Sequence, residues 1–236
     1  RLRDKLHYLA QAGVDVVIVA KFDRTFANLP AEQFIEDWLV RKLNVKFLSI
    51  GDDFKFGAKR LGNFAMLQQA GKQFGFEVED SRTFCLDELR ISSTAIRKAL
   101  AKDDLQHAQN LLGKPYRIFG RVIHGNKLGR TIGFPTANVR LHRQVNPVKG
   151  VYAVKVRLKS GEIFDGVANM GKRPTINGTI QLLEVHLFDF SKNIYGQMVE
   201  VEFCHKIRDE IKFPSFEALK AQIEQDVKTA KAFFAK

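Results

Sequence analysis

Gly120-Arg-Val-Ile-His-Gly-Asn-Lys-Leu-Gly-Arg-Thr-Ile-Gly-Phe-Pro-Thr-Ala-Asn138 is the stretch around which the sequence is organised. Its glycines allow turns with positive φ and bring bare N–H groups against an anion, and Arg121, Lys127 and Arg130 add positive charge. Thr136 and Asn138 are two residues apart, so an extended backbone points both side chains to one face, where they could hold a hard cation such as Mg²⁺. The stretch predicts a phosphate-handling loop, and an ordinary glycine-bearing hairpin remains the alternative.

The residues around this stretch predict a closed β-barrel followed by one helix. Candidate strands occupy residues 116–124, 150–158, 163–169, 181–187 and 198–206, with glycine-bearing turns between them. From Ser215 onward apolar residues recur at helical spacing, and Ser215 is the predicted N-cap. A turn signal at residues 113–115 marks a boundary, so we predict domains at residues 1–112 and 113–236.

Residues before the boundary predict an α/β domain. Helical patterns at 1–12, 30–42 and 63–74 alternate with apolar runs at 14–20, 45–50 and 76–79, which is typical of a parallel sheet buried on both faces. Asp53 and Phe54 follow one of these predicted strands, at the edge where open α/β sheets bind ligands. A further helix begins with the polar residues Ser92, Ser93 and Thr94 and carries Arg97 one turn later, which predicts an anion site or only a helix cap.

Glu184 is the candidate general base. It lies in a run of apolar residues, and the alternation of a strand places it on the same face as His186. If that face is the inside of the barrel, a carboxylate there needs a functional reason. The alternative is that the face is solvated, which is the more frequent outcome for a single carboxylate on a strand.

Composition narrows the function classes. The net charge of +12 comes from basic residues spread along the chain among 26 acidic ones, which fits an enzyme for anionic small molecules at least as well as a nucleic-acid binder. Cys85 and Cys204 are far apart in sequence, so they indicate neither a disulfide framework nor a zinc site. No apolar run approaches the roughly 18 residues of a membrane span, and we expect a cytoplasmic protein without a membrane or nucleic-acid partner.

Several motifs together resemble the riboflavin kinase family. The Gly-Phe-Pro-Thr-Ala-Asn sequence ending at Asn138 is followed in order by Gly-Val-Ala-Asn-Met-Gly-Lys-Arg-Pro-Thr (166–175), Leu-Glu-Val-His-Leu-Phe-Asp (183–189), Tyr-Gly (195–196) and Ile-Arg-Asp-Glu-Ile-Lys-Phe (207–213). The earlier Gly-Asp-Asp-Phe-Lys-Phe-Gly (51–57) and Ile-Ser-Ser-Thr-Ala-Ile-Arg (91–97) segments resemble the adenylyltransferase domain of the bacterial bifunctional enzymes that make FMN and FAD.

The resemblance implies a fold and a set of roles. The fold would be an incomplete Rossmann-like nucleotidyltransferase domain followed by a six-stranded β-barrel with a C-terminal helix. Glu184 would accept the proton of the riboflavin 5′-hydroxyl, and Thr136 and Asn138 would bind Mg²⁺ and phosphate. Riboflavin, FMN and ATP would be the small-molecule partners, and Arg208 would contact the flavin. The remaining ATP contacts would come from Gly125, Lys127, Gly129, Arg130, Gly133 and Pro135.

The adenylyltransferase half departs from the family pattern. The family's His-x-Gly-His motif, which steadies the ATP triphosphate, occurs nowhere in this sequence, and the chain begins at Arg1 instead of Met. We therefore expect the first βα unit to be missing from this chain. Asp53, Phe54, Ser92, Ser93, Thr94 and Arg97 would then be a partial site, and the chain would make FMN without FAD. Two alternatives stay open: an oligonucleotide-binding barrel, and an adenylyltransferase for another substrate.

Overall fold

The computed structural model describes residues 2–51, 53–81, 85–86, 89–125, 129, 133–141, 146–175 and 178–236. The chain divides into two compact units, residues 5–90 and residues 91–236, with residues 1–4 grouped with the second. The division falls about twenty residues before the domain boundary that we predict after Leu112. In the described part of the chain, no helix combines the length and apolarity that crossing a membrane would require.

The unit of residues 5–90 is built around a short parallel sheet. Strands β1 (Phe47–Ile50) and β2 (Glu77–Asp80) pair in parallel, and β3 (Cys85–Leu86) pairs antiparallel with β4 (Leu89–Arg90). The helices are α1 (Leu2–Gln11), α2 (Arg24–Ala27), α3 (Ala31–Phe34), which continues as a π-helix (Ile35–Lys42), a 3₁₀ turn (Ala58–Arg60) and α4 (Phe64–Phe74). Helix α4 ends at Gly75 in the left-handed region, as its sequence pattern predicts.

Residues 14–20 do not form the predicted buried strand. They carry no regular secondary structure, and Val16 and Ile18 are 76% and 56% exposed. A run of apolar residues is buried as a strand only when neighbouring strands satisfy its backbone and helices cover its faces. Within the described residues no strand pairs with this segment, so its apolar pattern gives exposed surface.

The unit of residues 91–236 is a closed six-stranded barrel with a helix on its outside, as predicted. The strands are β5 (Arg117–Ile123), β6 (Ala137–Arg140), β7 (Gly150–Leu158), β8 (Ile163–Thr175), β9 (Gly178–Leu187) and β10 (Met198–Arg208). They close in the order β10-β5-β6-β9-β8-β7, and every neighbouring pair is antiparallel. Helix α7 (Phe216–Phe234) begins at the predicted cap Ser215, whose hydroxyl accepts the Ala218 N–H at 3.2 Å.

The barrel wall separates two apolar layers. Alternate residues such as Val139, Met170 and Leu183 point inward and are fully buried in the barrel core. The opposite face of several strands packs under α7, in a second cluster made of Val151, Ala153, Val167, Phe188 and Ala230. The sequence pattern therefore places core residues correctly but leaves open that the outer face is also covered.

Helices α5 (Ser93–Ala101) and α6 (Leu105–Leu112) pack with the barrel. Ala99, Leu100 and Ala108 belong to the barrel core cluster. Between the two helices, Asp103 accepts hydrogen bonds from the Tyr152 hydroxyl and, at 2.8 Å, from the Lys206 ammonium group. Residues 91–112 thus contribute to the stability of the barrel unit.

Candidate active site

A cavity of about 460 Å³ opens between the outer face of the barrel and helix α7, and we call it the Glu184 cavity. Its walls are largely apolar, with a few polar side chains, as small-molecule sites usually are. The polar side chains that line it are Thr136, Asn138, Asn169, Glu184, His186, Arg208, Glu210 and Asp226. Seven of these eight lie in the sequence motifs quoted above, and Asp226 lies outside them.

Three polar residues form a row across neighbouring strands on the cavity wall. Asn138 of β6 is the register partner of Glu184 of β9, and Glu184 is the register partner of Asn169 of β8. Neighbouring strands lie about 4.8 Å apart, so the row presents amide, carboxylate and amide groups at regular steps. Asn138 is buried, and Asn169 Oδ1 is buried without a hydrogen-bond partner among the described residues.

Glu184 lies on the outer face of the barrel and not inside it. Its neighbours Leu183 and Val185 point into the barrel core, so Glu184 points outward. The outer face is not simply solvated, because α7 and the segment after β10 form the opposite side of the cavity, and Glu184 is only half-buried. A carboxylate in this position is shielded from bulk water on one side and accessible to a bound molecule on the other.

Thr136 and Pro135 are held next to this row. The Phe134 N–H donates to the Gly129 carbonyl at 2.8 Å, and His186 Nδ1 lies 2.9 Å from the Pro135 carbonyl oxygen. Thr136 Oγ1 also lies close to Gly129, where an added Cβ would approach it to 3.4 Å. Gly129 and Thr136 line the Glu184 cavity, and Pro135 lies beside them. That these residues contact ATP stays a prediction.

Gly125 is required by its contact with Asn138. A Cβ at position 125 would collide with the side-chain amide of Asn138, so only glycine leaves this amide in place. Gly133 has φ +87°, a conformation that favours glycine. Lys127 and Arg130 lie outside the described residues, so their predicted contacts with phosphate stay predictions.

The side of the cavity opposite the row is closed by an ion pair. Arg208, at the end of β10, donates to both carboxylate oxygens of Asp226 on α7, with its Nη2 at 2.8 Å from Oδ2. Gln222 donates to the same carboxylate at 3.0 Å, and Asp226 is only 3% exposed. The guanidinium group lies over the Phe213 ring at 5.5 Å, so Arg208 fixes the segment that follows β10.

A second cavity of about 550 Å³ lies on the other side of Thr136, and we call it the Tyr195 cavity. Pro135 and Thr136 line it together with Phe190, Lys192 and Tyr195. The Tyr195 ring stacks on His124 with centroids 3.9 Å apart. Thr136 is the polar residue that lines both cavities.

The predicted adenylyltransferase residues have local structural roles. Asp53 is exposed and lies 3.7 Å from Arg90, and Phe54 stacks on Phe56 at 5.6 Å. In the other unit, the Ser92 hydroxyl caps α5 by accepting the Ala95 N–H at 3.1 Å. Three further residues of the predicted site are exposed on the first turns of α5: Ser93, Thr94 and Arg97. That these residues form one nucleotide site stays a prediction.

The Glu184 cavity includes polar residues that were not predicted from the sequence as site residues, among them Asn169, Glu210 and Asp226. Asn169 could have been found, because strand alternation places it on the face opposite the core residues Ala168 and Met170. Asp226 gave no such signal, because an acidic residue on an amphipathic helix is usually exposed. Only the packing of α7 against β10 brings Asp226 to Arg208.

Comparisons with known proteins agree with this geometry. The riboflavin kinase family model matches residues 112–234, and the FAD synthetase family model matches residues 1–95. The chain is 82% identical over 234 residues to the bifunctional riboflavin kinase/FMN adenylyltransferase of Haemophilus influenzae, with 99% of this chain and 76% of that protein covered. The Escherichia coli K12 enzyme of the same name is 56% identical over 234 residues, with 99% and 75% covered.

A solved structure has a similar fold over nearly the whole chain. The crystal structure described as a macrolide-efflux protein from Streptococcus pneumoniae superposes with a TM-score of 0.79 at 33% sequence identity, covering 96% of this chain and 73% of that one. This likeness spans residues of both units.

Proposed function

The chain belongs to the family of bifunctional riboflavin kinases/FMN adenylyltransferases, and from that premise we propose that riboflavin is phosphorylated to FMN in the Glu184 cavity. One observation carries the proposal. Glu184, Asn138 and Thr136, the three residues that the chemistry needs most, open into a single cavity of about 460 Å³. Riboflavin and ATP are the substrates that family membership implies.

We assign the two cavities to the two substrates. The apolar wall of the Glu184 cavity suits the flat flavin ring, and its polar row suits the hydroxyl-bearing chain. The Tyr195 cavity offers the aromatic ring of Tyr195 and the charge of Lys192, which suit a purine base and phosphates. Since Thr136 lines both cavities, phosphoryl transfer would occur beside it.

In this arrangement Glu184 acts as the general base. Its carboxylate accepts the proton of the riboflavin 5′-hydroxyl while that oxygen bonds to the γ-phosphorus of ATP and the bond from phosphorus to the β,γ-bridging oxygen breaks, releasing ADP. Asn169 Oδ1 would accept a hydrogen bond from a neighbouring hydroxyl of the flavin side chain. Such a bond would satisfy an oxygen that is buried without a partner among the described residues.

The oxygen ligands at the edge of the cavity fit Mg²⁺. Thr136 and Asn138 offer a hydroxyl and an amide oxygen, and within the described residues no cluster of three His, Cys, Asp or Glu side chains provides a dedicated metal cage. Mg²⁺ is typically held by few protein ligands together with phosphate oxygens and water. Bound there with ATP, it would neutralise charge on the transferred phosphoryl group.

The remaining predicted contacts complete the proposal. Gly125, Gly129, Gly133, Lys127 and Arg130 would surround the phosphates of ATP, where bare N–H groups and positive charge stabilise anions. Arg208 would border the flavin while it stays paired with Asp226. The family's second activity, adenylylation of FMN, belongs with residues 1–95, which match the FAD synthetase model. A cytoplasmic location is part of the same proposal.

The oligonucleotide-binding alternative requires exposed aromatic rings, and the structure does not expose the two that the sequence offered for this role. Phe188 is buried under α7, and the Phe190 ring packs edge-on against Phe164 at 4.8 Å. Rings that pack inside the protein are not available to stack on bases.

The test is to supply the purified chain with riboflavin, ATP and Mg²⁺ and to separate the flavins by chromatography. We expect FMN to form and to require Mg²⁺, and we expect no FAD. If the folded chain forms no FMN, the kinase proposal is wrong. If FAD appears, the expectation based on the His-x-Gly-His motif is wrong and the kinase proposal stands.

A further inference from the structure

We propose that His186 is a positioning residue for the nucleotide side of the reaction, a role that rests on the proposed function of the same cavity. His186 does not act on riboflavin itself. Its Nδ1–H holds the Pro135 carbonyl, and this bond fixes the backbone that carries Thr136.

The hydrogen bond determines which nitrogen of the His186 imidazole carries the proton and how the ring is oriented. His186 Nδ1 lies 2.9 Å from the Pro135 carbonyl oxygen. A carbonyl oxygen only accepts hydrogen bonds, so the proton of this bond must reside on Nδ1. The rings of Phe134 and Phe188 lie at 5.3 and 5.9 Å from the imidazole, both edge-on, and they limit its rotation.

The hydrogen bond from His186 to Pro135 lies just beyond the end of the backbone pairing between β6 and β9. The register of β6 and β9 begins with Ala137 opposite Val185, so its continuation would place Thr136 opposite His186. Pro135 has no N–H to donate, so its carbonyl is its only backbone hydrogen-bonding group. The side chain of His186 on β9 bonds to this carbonyl and so holds the segment before β6 against β9.

The position of Thr136 depends on this bond and on one other. On the N-terminal side, the Phe134 N–H donates to the Gly129 carbonyl at 2.8 Å. Without the bond from His186, the peptide between Pro135 and Thr136 loses one restraint, and the Thr136 hydroxyl is held less firmly between the two cavities. We therefore expect the loss to weaken the binding of the magnesium nucleotide more than the binding of riboflavin.

Two variants separate the hydrogen bond from the shape of the ring. His186→Phe keeps a ring of similar size among Phe134 and Phe188 but has no donor. His186→Asn removes the ring but places an amide N–H where Nδ1 stands, so it should restore the bond. The binding of ADP with Mg²⁺ is measured by titration calorimetry, and riboflavin binding is measured by quenching of flavin fluorescence without nucleotide.

We expect His186→Phe to weaken the binding of magnesium ADP by about 3- to 10-fold, the range that follows from the net value of one hydrogen bond. His186→Asn should stay within about twofold of the unaltered chain in nucleotide affinity, and His186→Phe should lose less riboflavin affinity than nucleotide affinity. In turnover, His186→Phe should raise the KM for ATP more than it lowers kcat. Thermal unfolding of each variant checks that the barrel is folded.

Three results would overturn the inference. Unchanged nucleotide affinity in His186→Phe would show that the bond does not position Thr136. A loss in His186→Asn as large as in His186→Phe would show that the donor is not what matters. An equal loss of riboflavin and nucleotide binding would show a purely structural role. If the unaltered chain binds no magnesium ADP and makes no FMN, the proposed function itself is wrong.

Discussion

Among single residues, Glu184 depends most on what the tertiary structure adds. Strand alternation correctly places it on one face with His186, since both line the same cavity. Strand alternation does not indicate whether another element of the fold covers that face. Helix α7 covers it, so the outward-facing carboxylate lines the Glu184 cavity.

Replacing Glu184 with Gln should remove most turnover and keep nucleotide binding. The amide has nearly the same shape but does not accept the proton of the riboflavin hydroxyl, and general bases contribute typically about 10²- to 10⁴-fold to rate. FMN formation and calorimetric binding of ADP with Mg²⁺ are the two measurements. Turnover equal to that of the unaltered chain would remove Glu184 from the role of base.

Replacing Asn169 with Ala should weaken binding of riboflavin but not of lumiflavin, which has the same ring without the hydroxyl-bearing chain. The oxygen of Asn169 is buried beside Glu184 without a partner among the described residues, so a substrate hydroxyl can satisfy it. The expected loss for riboflavin is about 3- to 10-fold, measured by fluorescence quenching. Equal losses for both flavins would show that Asn169 acts on the ring or on the fold.

Tyr152 should make the barrel unit sensitive to alkaline pH. Burial raises the pKa of its hydroxyl, and the hydrogen bond with Asp103 raises it further, above the ordinary value of 10.0. A raised pKa in the folded state means that the stabilisation is complete below pH 10 and is lost as the pH rises above that value.

The measurement compares the unaltered chain with Tyr152→Phe in denaturant at several pH values. The unaltered chain should be more stable at pH 8. The difference in free energy of unfolding between it and Tyr152→Phe should shrink by about 1 kcal/mol for each pH unit above 10. Tyr195→Phe is the matched control, since this tyrosine is only partly buried and lines the Tyr195 cavity. An advantage that stays constant up to pH 11 would contradict the prediction.

Among the elements, helix α7 is the one whose attachment matters for the site. It is fixed at one end by apolar packing of Val227 and Ala230 and near the cavity by the pair of Arg208 with Asp226. Asp226 is buried, so removing its partner leaves a carboxylate that is shielded from water and, among the described residues, keeps only the hydrogen bond from Gln222.

Arg208→Met should therefore destabilise the barrel unit by about 3 kcal/mol and weaken riboflavin binding. Lys220→Met is the matched control, because Lys220 forms an exposed pair with Glu224 on the same helix at 4.0 Å. Exposed pairs contribute little, so the control should change stability by less than about 0.5 kcal/mol. Equal effects of the two substitutions on the unfolding midpoint would show that the buried pair does not hold α7.

Most elements could be predicted from local patterns, and the failures share one cause. The helices at Ser92 and Ser215 begin where their caps predict, because capping involves only residues three positions apart. Residues 14–20 have the apolar composition of a buried strand, yet burial depends on partners elsewhere in the fold. The short strand β6 also needed its partners β5 and β9 to be recognised.

At the scale of the whole molecule, the chain divides into compact units at residues 90 and 91 and not at the predicted boundary after residue 112. The compact barrel unit includes α5 and α6, whose residues Leu100 and Ala108 are buried in its core. A barrel unit cut at the sequence signal near residue 113 would lack both helices and would expose the core residues that they cover.

We expect a fragment of residues 91–236 to fold and make FMN, and a fragment of residues 113–236 to be unstable. Losing a buried leucine alone costs about 2–5 kcal/mol, which is a large part of a typical stability of about 5–15 kcal/mol. Chemical unfolding and FMN formation by both fragments are the measurements. If the shorter fragment unfolds at the same denaturant concentration, the helices are not part of the folding unit.

The sequence by itself determined most strands of the barrel, its C-terminal helix and the helix caps, because strand alternation, helical spacing and capping act over a few residues. Tertiary structure alone decided which outward faces are covered, that Asn169 joins Asn138 and Glu184 in one row, and that Asp226 meets Arg208. These contacts join residues far apart in the chain, and they depend on strand register and on the packing of α7, which no local pattern specifies.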